Sequence, residues 1–357
     1  MSQPPVDGRD PRRYHNPGAE GMKPVLPLDL SRIQTVDDLV RAMSQASFGA
    51  RRLGEAAEVL EAMVKDPECF TVLTLSGAMT VAKMGLVICE MIERGYVNAI
   101  ISTGALMTHG VVENSGGHHF KCDPYNDDAA LYAKGYNRVY DTIEPESNLD
   151  QAADLVVQVL SRSDLPPVLS SHFLTRAIGE HICATQPEAR GPLTSAYRHG
   201  VPIVIPALTD SEMGLDLAVH NHRLRHEGRP ALEYNPFIDL EYYTGLTRGA
   251  KRLGIFTIGG GVPRNYAQQV GPYFEILGHR MHTPPAQVRF QYGVRICPEP
   301  EHLGGLSGCT YREGISWGKF VPPAAGGRYA EVFADATIAW PLIVKAVMER
   351  YATKATL

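Results

Sequence analysis

The sequence predicts a parallel α/β protein, a single sheet flanked by helices with a helical extension at the N-terminus. Three observations predict it. Continuously apolar, β-branched runs recur along the chain, as strands buried on both faces do, instead of alternating apolar and polar residues. Helix-like stretches separate those runs. Each run closes on small, hydroxyl or acidic residues, so the repeated phrase is strand, short polar turn, helix.

Residues 1–34, opening "MSQPPVDGRDPRRYHNPGAEG", read as a flexible arm rich in Pro, Gly, Arg and Asp. They lack the apolar core of a signal peptide. Thr35 is the expected N-cap of the first helix, with Asp38 three residues on as a capping-box variant. Val36, Leu39, Val40 and Met43 recur at helical spacing, as do Leu53, Ala57, Leu60 and Met63, giving two helices or one bent near Phe48-Gly49. The strand runs are 70–78, 97–105, 202–210, 253–261, 288–296 and 329–337, with a helix-like stretch directly after the first of them. No composition break divides residues 35–357, which read as one domain.

The 357 residues are 44% hydrophobic and 20% charged, the balance of a soluble globular protein. A net charge of -5 argues against a nucleic-acid binder, which needs clustered cations. Cys69, Cys89, Cys122, Cys183, Cys297 and Cys309 are dispersed without a Cys-x-x-Cys pair, so a reducing cytoplasm is expected, without a disulfide framework or zinc ribbon. No apolar run is long enough for a membrane span. Neither a Gly-x-Ser-x-Gly elbow nor a Walker A motif is present.

In an open parallel sheet, ligands bind where the loops at the strand carboxyl ends converge. There "IGGGVPRN" places Gly259, Gly260 and Gly261, which suit either a phosphate cradle or a tight structural turn. "LSGA" (Ser76, Gly77) and "STGA" (Ser102 to Ala105) offer helix caps or ligand contacts. Three such loops on one sheet edge are better explained by a shared cofactor. Asp210 and Asp335 follow apolar runs and suit ribose hydroxyls, a ligand amine or helix N-caps. "VENSGGHHFKC" and "VHNHRLRH" raise a metal reading through His118, His119, Cys122, His220, His222 and His226, but no matched second pair of ligands appears, so no metal is expected. Lys319, in "GISWGKF", is open to three readings: a lysine snorkelling past Trp317, an ion pair with Glu313, or a nucleophile kept neutral by desolvation.

Taken together, "GGLSG…REGISWGKF…YAEVFADATIAWPLIV", "PIVIPALTDSEMG" and "IGGGVPRN" resemble the deoxyhypusine synthase family, from about residue 20 to the C-terminus. The resemblance implies a Rossmann-like homotetramer with NAD-containing active sites at subunit interfaces. It implies that Lys319 takes an aminobutylidene group as an enzyme imine. Trp317 would pack on the aliphatic chain of the polyamine, Glu313 would hold its terminal ammonium, and Ser307 matches a serine of the same loop. Ser76, Thr103, Gly104, Asp210, Gly260, Gly261, Asp335 and Ala336 match NAD-side positions.

The departures lie on the substrate side. The family reads Gly-Ser-Asp-Ser-Gly where this chain has Gly304-Gly305-Leu306-Ser307-Gly308, so Leu306 replaces an acid. Leu215 replaces another, and Asp216 lies one position late, about 100° around a helix. Asn265 stands for a histidine after Arg264, Gln269 for an asparagine, and Thr108 and His109 for two glutamates. Asn265, Gln269 and Asp216 remain substrate-side candidates. Each lost carboxylate removes a charge-assisted hydrogen bond of ~1.5–3 kcal/mol. The expectation is an NAD-dependent aminoalkyl transferase acting on small amines, homospermidine synthase-like. Its rivals are a true deoxyhypusine synthase, modifying a lysine of a translation factor, and a non-catalytic NAD-binding homologue.

Overall fold

The computed structural model describes residues 14–284 and 286–352; residues 1–13 of the expected N-terminal arm lie outside them. Two helices form the N-terminal extension, α1 (Val36–Ser44) and α2 (Phe48–Lys65). The expected capping box is present: Thr35 Oγ1 accepts from the Asp38 N–H, and the Asp38 carboxylate accepts from the Thr35 N–H, both at 3.0 Å. The chain breaks between the helices at Phe48, whose φ of 56 a helix interior does not allow. Buried Arg350, on the last helix, ties the extension down by pairing with Asp37 at 2.6 Å and Glu61 at 2.9 Å.

The six strands of the main sheet, numbered in chain order, are β1 (Cys69–Leu75), β2 (Ala99–Ser102), β3 (Ile203–Val204), β4 (Arg252–Ile258), β5 (Phe290–Ile296) and β6 (Arg328–Val332). All six pair in parallel, in the spatial order β3-β2-β1-β4-β5-β6. That is the doubly wound dinucleotide-binding arrangement, and the order reverses between β1 and β4. Each apolar run of the sequence holds one strand. Leu73, Leu75, Phe256, Ile258, Val294 and Ile296 pack on one face; Val72, Ile101, Val204 and Ile255 pack on the other. Burial on both faces explains why the runs do not alternate.

After β1 the helix-like stretch becomes a turn first. Lys83 takes a φ of 64, and Thr80 Oγ1 donates to the Leu106 carbonyl at 2.7 Å, holding the turn on the helix that follows β2. Helix α3 therefore begins only at Gly85 (Gly85–Glu93), and α4 (Gly104–Asn114) follows β2. Residues 117–145 form an insertion containing α5 (Asp128–Ala133) and a small antiparallel sheet of 120–121, 142–145 and 136–139. Then come α6 (Glu146–Leu160), α7 (Ser171–Thr185), α8 (Pro192–His199), α9 (Glu212–His226), after β3, and α10 (Pro236–Arg248). Helices α11 (Gly261–Gln268) and α12 (Val270–Arg280) follow β4, α13 (Tyr311–Ser316) follows β5, and α14 (Ala336–Ala352) follows β6. Among the described residues, no helix is long and apolar enough to cross a membrane.

Candidate active site

The site is built first at the point where strand order reverses. Ser76, just past β1, donates its hydroxyl to the Ile258 carbonyl at 3.1 Å and accepts the Gly260 N–H at 2.9 Å, locking the two loops together. Gly259 and Gly261 take φ values of 74 and 62, which favour glycine. Gly260 is needed for space: a Cβ there would stand 2.5 Å from the Ser307 Cα. Helix α11 starts at Gly261 without a side-chain cap, so its first N–H groups are left for a ligand. Glycines in close approach and a bare helix N-terminus at the switch point fit a dinucleotide pyrophosphate.

One strand further out, α4 also starts without a side-chain cap, and the buried Thr103 hydroxyl has no hydrogen-bond partner among the described residues. Ser211 packs against Gly104 and caps α9, accepting the Gly214 N–H at 3.3 Å. Asp210 is exposed in that loop. At the end of β6, Asp335 Oδ1 accepts from the Thr337 N–H at 2.7 Å and its hydroxyl at 2.8 Å. Asp335 thus caps α14, with Ala336 buried behind it.

Lys319 lies in the segment that seats against α11 and α12. Gly318, with φ 71, turns the chain back after Trp317, and Phe320 is buried against Phe290 and Tyr311. The backbone of Lys319 is held at both groups: its N–H donates to the Gly314 carbonyl at 3.1 Å, and its carbonyl accepts from Phe290 at 2.9 Å. The residue is 8% exposed. Its Nζ donates to Asn265 Oδ1 at 3.0 Å and lies 6.0 Å from the Trp317 ring centre. Among the described residues it forms no ion pair with a carboxylate. Burial pushes its amine below the ordinary 10.5; Cys309 pulls the other way, and the smaller effects of the Arg264 cation and Glu313 lower and raise it in turn.

Two buried arginines hold the loop above Lys319. Arg264 Nη1 donates to the Cys309 carbonyl and Arg295 Nη1 to the Ser307 carbonyl, both at 2.6 Å. Arg264 also lies over the Tyr311 ring at 5.4 Å. Neither role was expected from the sequence. For Arg295 the signal is a cation inside an otherwise apolar strand run, "VRFQYGVRI", which must find acceptors when buried.

The structure thus brings Ser76, Gly260, Gly261 and Ser307 together, and separately Lys319, Asn265 and Trp317. Glu313 is exposed on α13 and Gln269 is exposed at the α11–α12 junction. Asp216 sits half-buried on α9, its carboxyl pushed up to about 6 by burial and by Glu212. β3, which leads into α9, and β4, which leads into α11, are three strand spacings, about 14 Å, apart in the sheet. A cleft of about 760 Å³ on the far side of α13, lined by Arg52, Tyr311, Tyr329 and Glu331, does not include Lys319. Of the histidines in the metal reading, His119 alone joins a cluster of potential ligands among the described residues, with His109 and Glu144.

Comparison with known proteins agrees with this architecture. The deoxyhypusine synthase family profile matches residues 38–347. The chain is 31% identical over 327 residues to the probable deoxyhypusine synthase 2 of Methanosarcina acetivorans, covering 92% of this chain and 90% of that one. It is 34% identical over 312 residues to a deoxyhypusine synthase-like protein of Chlorobaculum parvum, covering 85% and 84%. In fold it is similar to the crystal structure of a putative deoxyhypusine synthase from Entamoeba histolytica, with a TM-score of 0.56 at 15% identity, covering 92% of this chain and 97% of that one.

Proposed function

Because this chain belongs to the deoxyhypusine synthase family, whose members are NAD-dependent aminobutyl transferases, we propose that it transfers a 4-aminobutyl-type group between small amines through an imine on Lys319, as a homospermidine synthase does. The observation that carries the reading is the state of Lys319: buried, pinned through its backbone, paired with a neutral amide and weakened as a base. Such an amine keeps a larger neutral fraction and can add to an electrophilic carbon.

When bound, NAD supplies reversible hydride acceptance at the carbon beside the donor amine's nitrogen. Ser76, Gly260 and Gly261 would hold its pyrophosphate, and Thr103, Gly104 and Asp210 the neighbouring part of the dinucleotide. Lys319 adds to the electrophilic carbon, expels the first amine and forms the imine. The second amine then displaces the lysine, and the hydride that NAD would hold would return to that carbon, leaving the saturated product amine. Asn265 orients Nζ throughout without taking its proton, since an amide oxygen only accepts a hydrogen bond.

The two replaced acids favour a substrate with fewer cations than spermidine. Leu306 and Leu215, at the positions of two family acids, are both exposed, as are Val262, Leu303 and Trp317. Exposed apolar side chains of this kind suit a neighbouring subunit, in keeping with a homotetramer whose sites are shared across interfaces. In a shared site, Asp216 would meet the amine from the adjoining chain.

Borohydride trapping tests the reading. The protein is incubated with NAD and putrescine, spermidine, agmatine or cadaverine, reduced, and mapped by peptide mass spectrometry. An adduct on Lys319 supports the mechanism, and its mass identifies the transferred group. Transfer that requires a protein lysine as acceptor would instead favour a true deoxyhypusine synthase. NAD binding without an adduct from any amine would sink the small-amine reading.

A further inference from the structure

Behind the N-terminus of α4, three side chains from three segments meet in the interior. His109 comes from α4, His119 from the loop entering strand 120–121, and Glu144 from strand 142–145. One donor atom from each lies within 4.8 Å of the other two. Their side chains are 12%, 1% and 1% exposed. His109 Nδ1 approaches Glu144 Oε2 to 2.6 Å, and His119 Nε2 approaches Oε1 to 3.3 Å.

These approaches are close without being well-formed hydrogen bonds. His109 Nδ1, His119 Nε2 and Glu144 Oε1 are buried polar atoms left without a hydrogen-bond partner in the structure. Buried polar groups are nearly always satisfied, and three facing one another unsatisfied call for a physical cause. A buried imidazolium–carboxylate pair accounts for His109 and Glu144, while His119, with Lys83 on Nδ1, turns Nε2 to the same carboxylate at 3.3 Å outside hydrogen-bond geometry. A cation at the meeting point satisfies all three. We propose that His109, His119 and Glu144 form a binding site for a divalent transition-metal ion of the zinc class, clamping the 117–145 insertion to α4.

The donor set selects the ion. Two imidazoles and one carboxylate suit zinc or cobalt, whereas magnesium and calcium prefer oxygen shells. Tetrahedral bonds of ~2.0–2.1 Å set donors about 3.3 Å apart. The separation of His119 Nε2 from Glu144 Oε1 already has that value, and His109 Nδ1 sits nearer, 2.6 Å from the other oxygen, Oε2. The imidazole planes are inclined at 66° with centroids 6.0 Å apart, so the rings converge without stacking. The carboxylates of Glu113 and Glu212 add negative field around His109. Three protein ligands leave a fourth position for water.

One group opposes the ion. Lys83 Nζ lies 2.8 Å from His119 Nδ1 and 2.6 Å from Glu113 Oε1. When His119 Nε2 binds a metal, Nδ1 carries the proton and needs an acceptor, which an ammonium cannot be. Glu113 Oε1, 3.9 Å from Nδ1, is that acceptor once Lys83, half-exposed, swings into solvent. Lys83 therefore weakens the site, and its removal strengthens it. The donors of the cluster are ten and twenty-five residues apart in sequence, outside any ligand motif, so spacing alone does not announce it.

The test is metal binding to the full chain after chelator treatment, independent of any amine chemistry. Co2+ titration should give one equivalent per chain with the visible d–d absorption of a four-coordinate site, displaced by Zn2+. Glu144→Gln and His119→Ala, checked for native circular dichroism, should weaken binding by about tenfold or more. Lys83→Gln, an exposed change that leaves the core untouched, should tighten it. Absence of one-to-one binding to the wild-type chain and to Lys83→Gln, or unchanged affinity in a folded Glu144→Gln chain, would overturn the proposal.

Discussion

Lys319 and Asn265 are joined by a 3.0 Å hydrogen bond from ammonium to amide oxygen, fifty-four residues apart in sequence and on facing segments. Asn265 stands where the family has a histidine, so the lysine has an orienting partner that cannot take up its proton. Proton loss from Lys319 then depends on its surroundings, chiefly burial, with Cys309 opposing it and the Arg264 charge assisting. The rate of adduct formation should rise with pH and level off below 10.5, the ordinary value for lysine. Removing the cation in Arg264→Gln should move that limb to higher pH, read by trapping rates across a pH series. Lys319→Arg should abolish the adduct altogether while NAD binding persists.

Gly260 and Gly261 differ in what they are for, and substitution separates the two reasons. Gly260→Ala drives a Cβ into the backbone at Ser307, and overpacking of this kind costs ~1–3 kcal/mol. Gly261→Ala meets no atom within 4 Å but forces a side chain into the left-handed region, about 1–2 kcal/mol. The first should lower the melting temperature and displace the Ser307 loop, weakening NAD binding. The second should cost stability with the loop in place. Calorimetry with NAD titration distinguishes them.

How much of this was legible depended on the range of the signal. The six apolar runs became the six strands because burial on both faces writes itself locally, one residue type after another. Thr35 and Asp38 were legible for the same reason: a capping box spans four residues. The glycine triplet announced a special turn, but its function depended on β1 and β4 being neighbours, which only the sheet order reveals. Arg264 and Arg295 were passed over because their partners are carbonyls, which every residue carries. Asp335 suited both a ligand and a cap, and the hydrogen bonds to Thr337 make it a cap, which still leaves its second oxygen for a ligand.

Asp216 gives the substrate reading its pH dependence. Its carboxyl is raised to about 6 by burial and by the negative charge of Glu212. An acid that is neutral below that value holds a cationic amine only above it. KM for a diamine should therefore fall as pH rises through about 6, and Asp216→Asn should give a high KM with little pH dependence in that range. A wild-type KM flat across about pH 5 to 8 would remove Asp216 from the substrate site.

Asp239 sets the acid limit of stability on the β3 side of the fold. From α10 it reaches the start of α7, accepting the Ser171 N–H at 2.9 Å, the Ser171 hydroxyl at 2.8 Å and the His172 N–H at 3.0 Å; His172 Nδ1 lies 2.8 Å away. Burial alone would raise its carboxyl, but hydrogen bonds from the His172 ring and backbone and from Ser171 outweigh it, leaving the group below 3.8. The sign follows from linkage: a depressed carboxylate contributes stability that is full above 3.8 and is lost as pH falls through its lower folded value. Asp239→Ala strands two backbone donors at a helix N-terminus and a buried hydroxyl, each worth ~1–3 kcal/mol, so the loss should be at least about 2 kcal/mol at neutral pH. Asp239→Asn keeps one acceptor oxygen and should lose less, but its stability should no longer carry this residue's share of the acid dependence. Urea denaturation of the three chains at neutral and acid pH measures both effects. Equal acid sensitivity in wild type and Asp239→Asn would show that other carboxylates set the limit.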